Sequence, residues 1–547
     1  MKQWGEIQCG KDRKNYLCGE SLSFHSAAEP LSKSFKIYYH LKLQQKASSS
    51  VIKIGFKCFN MKKLFLLSIA MLMTLGAMAQ NDLDAFRFSQ VNWSGTARFM
   101  GAGGAFGSIG GDFSSLATNP AGIGLFKKDE ISFTPIVINA IGTNAVYNGE
   151  SVDANSVRYS LTNFGSIFSW TLERSKPEEE RKWRMMQFGF GYNRINDFNN
   201  LVYASGMSGG TTMIDGFVNA SNGIHYNSLT HDGELAWGTW LMDTVAGTDN
   251  QYENFIGHHD MRQNSYTKTT GGIDEMNFSL GANYNDQLYL GLTLGVPFLN
   301  YKAETEYSEV DENDAVGGFN EWTSYETLRT SGTGINAKFG LIYQPVDFMR
   351  IGVAIHTPTY YGNLKESYSR QIKSDFDSDD FDEEYENLSK YKLTTPFRVM
   401  GSLGFLIAKR AFISAEYEFT DYSMARLASS ENILYRYDYA KENNNVKLKY
   451  GACHTIRVGG ELTVTEHFLV RLGYSYSSSP FKNKINTGSA HNISGGIGFR
   501  GRVFFADLAY VCRLTGQNSW FFEDPTLNPV EISNINHKFA ATIGVKF

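Results

Sequence analysis

From about residue 130 to the C-terminus, apolar and polar residues alternate with period two in segments of ten or more residues. Phe468, Val470, Leu472, Tyr474 and Tyr476 share one face, against Arg471, Gly473 and Ser475 on the other. Ile413, Ala415, Tyr417 and Phe419 alternate with Ser414, Glu416, Glu418 and Thr420, and Met276, Phe278, Leu280, Ala282 and Tyr284 alternate with Asn277, Ser279, Gly281 and Asn283. This is the period of a half-buried strand. The pattern predicts strands near 130–139, 156–170, 183–195, 274–285, 287–298, 323–345, 348–358, 390–407, 410–428, 449–464, 467–479, 488–501, 502–514 and 536–547, about fourteen in all.

The connections separate a soluble sandwich from a membrane barrel. Short ones (Asn285-Asp286-Gln287, Thr465-Glu466-His467, Gly501-Arg502) alternate with long ones around 196–273, 299–322, 359–389, 429–448 and 515–535. Short turns on one rim and long loops on the other, with an even strand number, describe an outer-membrane barrel; a sandwich gives no reason for the alternation. The connection 171–182 is a longer inner turn, rich in Lys, Arg and Glu. The expected fold is therefore all-β: a transmembrane antiparallel β-barrel of about 14 strands spanning 129–547. Its last strand carries Phe539, Ala541, Ile543 and Val545 on one face and ends on Phe547. That ending is similar to the C-terminal signal by which barrel-assembly machinery recognises its clients.

Composition agrees. A mean hydropathy of −0.30 is too low for several membrane-crossing helices, while 14% aromatic residues, 53 Gly and only 11 Pro suit strands and turns. Ahead of the barrel, Met61-Lys62-Lys63, the apolar run Leu64–Met78 and Ala77-Met78-Ala79 read as a signal peptide (61–79) cleaved before Gln80. Gln80 in place of Cys argues against a lipid anchor. Residues 1–60, with Cys9, Cys18 and Cys58, read as upstream sequence from a misassigned start; the rival reading is a cytoplasmic domain on an uncleaved anchor. From Gln80 onward 39 basic and 52 acidic residues remain, a net charge of −13, which disfavours nucleic acid as a partner. Cys453 and Cys512 alone make no disulfide framework.

A barrel this wide is not filled by its own wall. The segment 80–128 shows no strand alternation and is rich in small residues: Ser94-Gly95-Thr96-Ala97-Arg98, Gly103-Gly104-Ala105-Phe106-Gly107, Gly110-Gly111-Asp112 and Asn119-Pro120-Ala121-Gly122. It is expected to plug the lumen. Pro120 fixes φ and pushes Asn119 out of the helical region, and Asn119 can bond backbone groups in a turn. Asn119-Pro120 then either forms part of a movable hatch or starts a turn leading into the first strand.

This stretch, with the strand count and the terminal Phe, resembles the FadL/TodX family of outer-membrane transporters for hydrophobic compounds, and the form with Gly122 looks most like members from Bacteroides-type bacteria. The resemblance implies a fourteen-stranded barrel with an N-terminal hatch containing Asn119, Pro120, Ala121 and Gly122. It also implies passive uptake of compounds such as long-chain fatty acids or aromatic hydrocarbons. No loop sequence carries over.

Inward strand positions hold charges of both signs (Lys338, Arg350, Arg398, Glu416, Glu418, Arg457, Glu461, Arg471, Arg500, Asp507, Arg513), most of which should pair, since a lone charge in a partly dry lumen is costly. Arg98 on the plug is the leading candidate for an anionic ligand head, with Phe99 and Phe106 as neighbouring ligand contacts. The Gly run fails as a nucleotide loop: Phe106 stands where Gly is needed and no Lys-Ser/Thr follows Gly107. Asp375, Asp377, Asp379 and Glu386 have partial EF-hand spacing, but Asp380 replaces the required Gly. His258-His259-Asp260 in an outer loop is either a metal or haem contact or a solvated polar turn. No catalytic constellation, metal or cofactor is expected. Expected partners are a hydrophobic ligand, outer-membrane lipids and lipopolysaccharide, with the chain acting as a monomer. The competing functions are a hydrophilic porin, a haem receptor and a purely structural barrel.

Overall fold

The computed structural model describes residues 82–547, apart from 93, 174, 178, 179, 181, 409, 431–436, 483–485, 523 and 525. The upstream segment, the signal peptide and the first two residues of the expected plug lie outside the described residues.

Fourteen antiparallel strands close into a barrel. They are β1 (Glu130–Tyr147), β2 (Glu150–Ser160 and Asn163–Thr171), β3 (Trp183–Asp197 and Asn200–Met207), β4 (Arg262–Tyr284), β5 (Leu288–Val310), β6 (Phe319–Val346) and β7 (Met349–His356 and Tyr360–Phe376). The second half comprises β8 (Asp380–Thr394 and Arg398–Ile407), β9 (Ala411–Asp421 and Arg426–Ser429), β10 (Ala452–Thr463), β11 (Phe468–Ser477), β12 (Ala490–Arg500), β13 (Phe504–Ser519) and β14 (Val530–Lys546). Each pairs with its sequence neighbour along all or part of its length, and β14 returns to β1 from Glu130↔Lys546 to Val146↔Glu531, so the barrel closes.

The period-two pattern sets which side meets lipid. Leu472 (76% exposed), Ile413, Phe339, Leu403 and Phe539 point outward, while Arg471 and Glu416 on two of these strands, and Glu461 and Asp507 on neighbouring ones, are buried inside. Trp170, Trp183, Tyr343 and Phe348 are exposed near the short-turn rim. Toward the opposite rim, Tyr417–His454, Tyr474–His491 and Tyr510–His537 form three cross-strand hydrogen bonds of 2.7, 2.9 and 2.8 Å. These are the two aromatic girdles of a transmembrane barrel.

Strands β4 to β8 run far beyond the belt, through stretches expected to be loops. There the outward residues turn polar (Lys302, Glu304, Glu306; Ser367, Ser369, Gln371), so hydrophobic contrast fades while pairing continues. The acidic stretch with EF-hand spacing is the tip of the β7–β8 hairpin, with Asp375 facing Asp380 across the ladder, not a helix-flanked loop.

Two short helices, α1 (Asp82–Arg87) and α2 (Ala97–Gly101), precede the barrel, and α3 (Ile214–Ser221) and α4 (Asp232–Gly238) fold over its long-loop end. Met213, Ile214, Phe217, Leu235, Leu241 and Tyr252 make a core there with Tyr307, Trp322 and Ile372 of the extended strands. Its polar anchor is Glu309, which is fully buried. The carboxylate accepts bonds from Thr212 Oγ1 (2.6 Å), Met213 N (3.0 Å), Tyr307 Oη (2.6 Å), Trp322 Nε1 (3.0 Å) and Gln263 Nε2 (3.2 Å). A buried carboxylate without a cation stands only when its lone pairs are filled in this way. Glu309→Ala orphans these donors at about 1–3 kcal/mol each before water enters. Limited proteolysis should then cut the 208–261 cap, while the barrel keeps its heat-modifiable gel shift.

Candidate functional site

The segment from Asp82 to Phe126 runs through the lumen. Its first helix lies at the long-loop end, where Phe86 stacks on Tyr450 (4.5 Å) and meets Tyr422 and Phe481, and Asp82 pairs with Lys449 of α5 (Ala440–Lys449) at 3.0 Å. Its end lies near the short turns, where Gln187 Nε2 donates to Phe126 O (2.8 Å) and Ala121 packs against Tyr289 and Ile342.

Between these ends the wall receives the plug on glycines. A Cβ on Gly473 would overlap the Gly103 amide, and one on Gly459 the Ala102 carbonyl. One on Gly291 would overlap the Pro120–Ala121 backbone, one on Gly352 the Gly107 carbonyl, and one on Gly340 the Asn119 side chain. Close backbone approach is the reason for glycine at these strand positions.

Polar contacts complete the seat. Arg98 forms a two-point pair with Glu461 (2.8 Å each) and donates to Gly111 O (2.8 Å). Glu461 also binds Arg471, which reaches Asp507, and Asp507 binds Arg500. A second chain joins Gly107 N to Glu416, then Arg457, Glu418 and Arg398, and Lys338 pairs with Glu275. Buried charges are thus neutralised in chains. His356 contacts Thr118 O (2.6 Å), and Arg350 donates to Ile109 O (2.8 Å).

The four expected hatch residues are all buried. Asn119, extended at φ −115°, ψ 102°, caps the 3₁₀ turn Pro120–Leu125 by accepting from Ala121 N, and its amide donates to Gly107 O at 2.6 Å. Gly122 O accepts from Gly111 N at 2.9 Å. Asn119-Pro120 therefore both starts a turn and ties two passes of the plug together. Of the expected ligand contacts, Arg98 lies over the Phe106 ring (5.2 Å) and Phe106 packs on Phe412, whereas Phe99 lines a cavity. His258 bonds Asp215 (2.9 Å) at the surface, and among the described residues no group of three His, Cys, Asp or Glu side chains is placed to hold a metal.

That cavity, of about 150 Å³, lies between the plug strap Gln90–Asn92 and the wall strands β8 to β14. In volume this is room for about one benzene ring, although the lining is largely polar and charged. Arg398 and Arg457 at its wall are paired, but Arg513 donates only to Asn92 Oδ1, and Lys538 beside it has no ion pair among the described residues. Arg513 was readable as inward. Lys538 is missing from the sequence-derived set, although its position next to outward Phe539 implies it. A smaller cavity of about 40 Å³, bounded by Phe88 and Lys338, lies across the same strap.

The wall has a seam beside the strap. The first half of β2 pairs only with β1, and the second half of β3 pairs only with β4, so no ladder joins Glu150–Ser160 to Asn200–Met207. β3 kinks at Phe198-Asn199, and Phe198 packs on Phe88 of the plug (5.9 Å). Asn92 N donates to Ile195 O (2.8 Å), and the Asn92 amide to Asn196 (2.9 Å), just before the kink. Strap and seam are thus in direct contact.

Burial pushes the Asp84 carboxyl on α1 up to about 6, against the pull of Arg87 (2.6 Å) and with help from Asp82; Glu366, Tyr391 and Tyr450 face it from the wall and the outer loop. A carboxyl raised on seating contributes to the seated state below its ordinary value near 4, and that contribution is lost as pH rises through 6. The plug head should loosen between pH 4 and 6, read as rising conductance or faster labelling of a cysteine placed on α1. Asp84→Asn should flatten the profile.

A search of known protein families returns no match, and no curated protein matches the sequence. Solved structures match along most of their length. A FadL homologue from Pseudomonas aeruginosa aligns at 14% identity and TM-score 0.51, over 84% of this chain and 99% of that one. The Pseudomonas putida toluene transporter TodX aligns at 10% identity and TM-score 0.48 over 84% and 99%, and the Ralstonia pickettii toluene transporter TbuX at 13% and 0.45 over 83% and 98%. The chain is thus a plugged fourteen-stranded barrel. It shares its fold with the Pseudomonas aeruginosa FadL homologue.

Proposed function

We propose that this chain is an outer-membrane channel for passive uptake of hydrophobic compounds, gated by its N-terminal plug, and that its preferred ligand is an amphiphile with an anionic head. The observation that carries the ligand class is the cavity beside the strap, where Arg513 and Lys538 face an opening with no carboxylate in ion-pair contact among the described residues, Asp197 acting on Lys538 only from beyond that distance. An uncharged hydrocarbon gains nothing from two desolvated cations, whereas a carboxylate gains charge-assisted bonds worth about 1.5–3 kcal/mol each. Each buried CH₂ of the tail adds about 0.8 kcal/mol. A long chain does not fit the cavity while the strap is seated, so the strap moves during passage. Its withdrawal joins the two cavities and releases the β3 kink, which stands at the outer edge of the belt below the unpaired seam.

The test is to lock the plug. Ser108 Oγ of the plug lies 3.4 Å from Ser414 Oγ on the inner face of β9. Ser108→Cys with Ser414→Cys, in a background carrying Cys453→Ser and Cys512→Ser, sets two thiols face to face across this contact without adding bulk. Uptake of a long-chain carboxylate into liposomes containing the oxidised protein should stop, and reductant should restore it. Undiminished uptake by the oxidised form would rule out the plug as the gate.

A further inference from the structure

The outer wall of β5 to β8 carries basic side chains on adjacent strands just above the lipid-facing belt. Lys302 (β5) is directly opposite Arg329 (β6), and Lys365 (β7) is directly opposite Lys390 (β8). Ser331 joins the two pairs, since it sits opposite Lys365 and two residues from Arg329. Like charges facing each other across a ladder are unfavourable unless something between them is negative. One carboxylate stands there in ion-pair contact, Glu304, which is held by Lys302, shared with Lys268 and near enough to attract Arg329; Glu386 is engaged by Ser367. Arg329, Lys365 and Lys390 are exposed and have no carboxylate within ion-pair distance among the described residues.

The row borders a groove. Phe298 and Asn300 form one side, Arg329 and Thr333 the floor, and Asn363 and Lys365 the other side. The β6–β7 register slips between Ser331 and Gly334, and the extra residues of such a bulge twist the wall at this point. Directly below, Phe298, Leu294, Ile335, Phe339, Ile355 and Val353 are exposed and apolar. A cationic shelf over an apolar lane fits a lipid whose phosphates stand immediately above its acyl chains.

We propose that this face binds a phosphorylated glycolipid of the outer leaflet, a lipopolysaccharide, with its phosphates between the Lys302–Arg329 and Lys365–Lys390 pairs and an acyl chain against Phe298. The inference rests on the outer-membrane reading given above, in which the long loops face outward. Arg329, Lys365 and Lys390, with Lys302 beside them, lie close enough together for their attraction to a phosphate-bearing leaflet to act jointly.

The test uses the purified full-length chain in neutral detergent and native mass spectrometry. Bis-phosphorylated lipid A should remain bound at least about tenfold better than the same lipid dephosphorylated. Inorganic phosphate at millimolar concentration should not displace it. The variant Lys302→Gln/Arg329→Gln/Lys365→Gln/Lys390→Gln should lose that preference, while Lys441→Gln/Lys447→Gln on α5 should keep it. Equal retention of both lipid forms by the unaltered protein would overturn the site without any variant. So would full retention by the fourfold variant, or binding of phosphatidylglycerol as tight as that of lipid A. Liposome uptake by the fourfold variant should be unchanged, so loss of this site and loss of the transport reading give different results.

Discussion

Replacing Gly340 and Gly473 with valine is expected to hold the plug off its seat and convert a nearly closed barrel into a conducting one. Both lie on the inner wall against plug backbone, one at the Asn119–Ala121 turn (a Cβ would come within 2.7 Å of Ala121 N) and one at Gly103. Overpacking of this kind costs about 1–3 kcal/mol per site, and here the neighbour is backbone that no rotamer change can clear. The two sites fall on different passes of the plug, so the costs add to roughly 2–6 kcal/mol. The ratio of seated to unseated plug then falls by a factor between about 30 and 10⁴. Single-channel conductance in planar bilayers should rise at least tenfold, and cells should become sensitive to large antibiotics. Gly401→Val is the control, because nothing lies within 4 Å of a Cβ there. Unchanged conductance in the double variant would mean that the wall yields and the plug does not.

The barrel was legible because a lipid-facing strand must alternate, and the alternation survives wherever hydrocarbon touches the wall. It failed where it had no physical cause. Above the belt both faces of β4 to β8 meet water or the external cap, so Lys302, Glu304 and Glu306 carry no strand signature although their ladder continues to Val310. The β2–β3 seam was illegible for a related reason: Glu150–Ser160 has neither face buried, and an unmade pairing leaves no mark on composition. The plug could be located from its glycines, but its seat could not, because Gly340 and Gly473 look like ordinary strand glycines until Asn119 and Gly103 are seen against them. The inward charges were readable by parity. Which of them stay unpaired depends on the length and reach of partners several strands away.

Lys538→Gln is expected to separate anionic from uncharged ligands. Lys538 reaches the cavity from β14 and has no ion pair among the described residues; its charged neighbour Asp197 keeps its hydrogen bonds from Asn139 and Asn199 when the lysine is removed. One charge-assisted bond is worth about 1.5–3 kcal/mol, and long-chain carboxylate binding should weaken about 10- to 100-fold, with binding of an uncharged alkylbenzene changed by less than about threefold. Arg513→Gln has a second consequence. Arg513 also holds Asn92, whose backbone and side chain grip β3 at Ile195 and Asn196 beside the kink. This variant should lose the carboxylate as Lys538→Gln does and also loosen the strap, raising passage of uncharged solutes. Arg513→Lys, which keeps the charge, should recover part of the carboxylate binding. If Lys538→Gln weakens both ligand types alike, the cavity is not the head-group site and the cation pair serves only to hold the wall. If Arg513→Gln and Lys538→Gln behave identically on uncharged solutes, the strap is not coupled to the seam through Asn92.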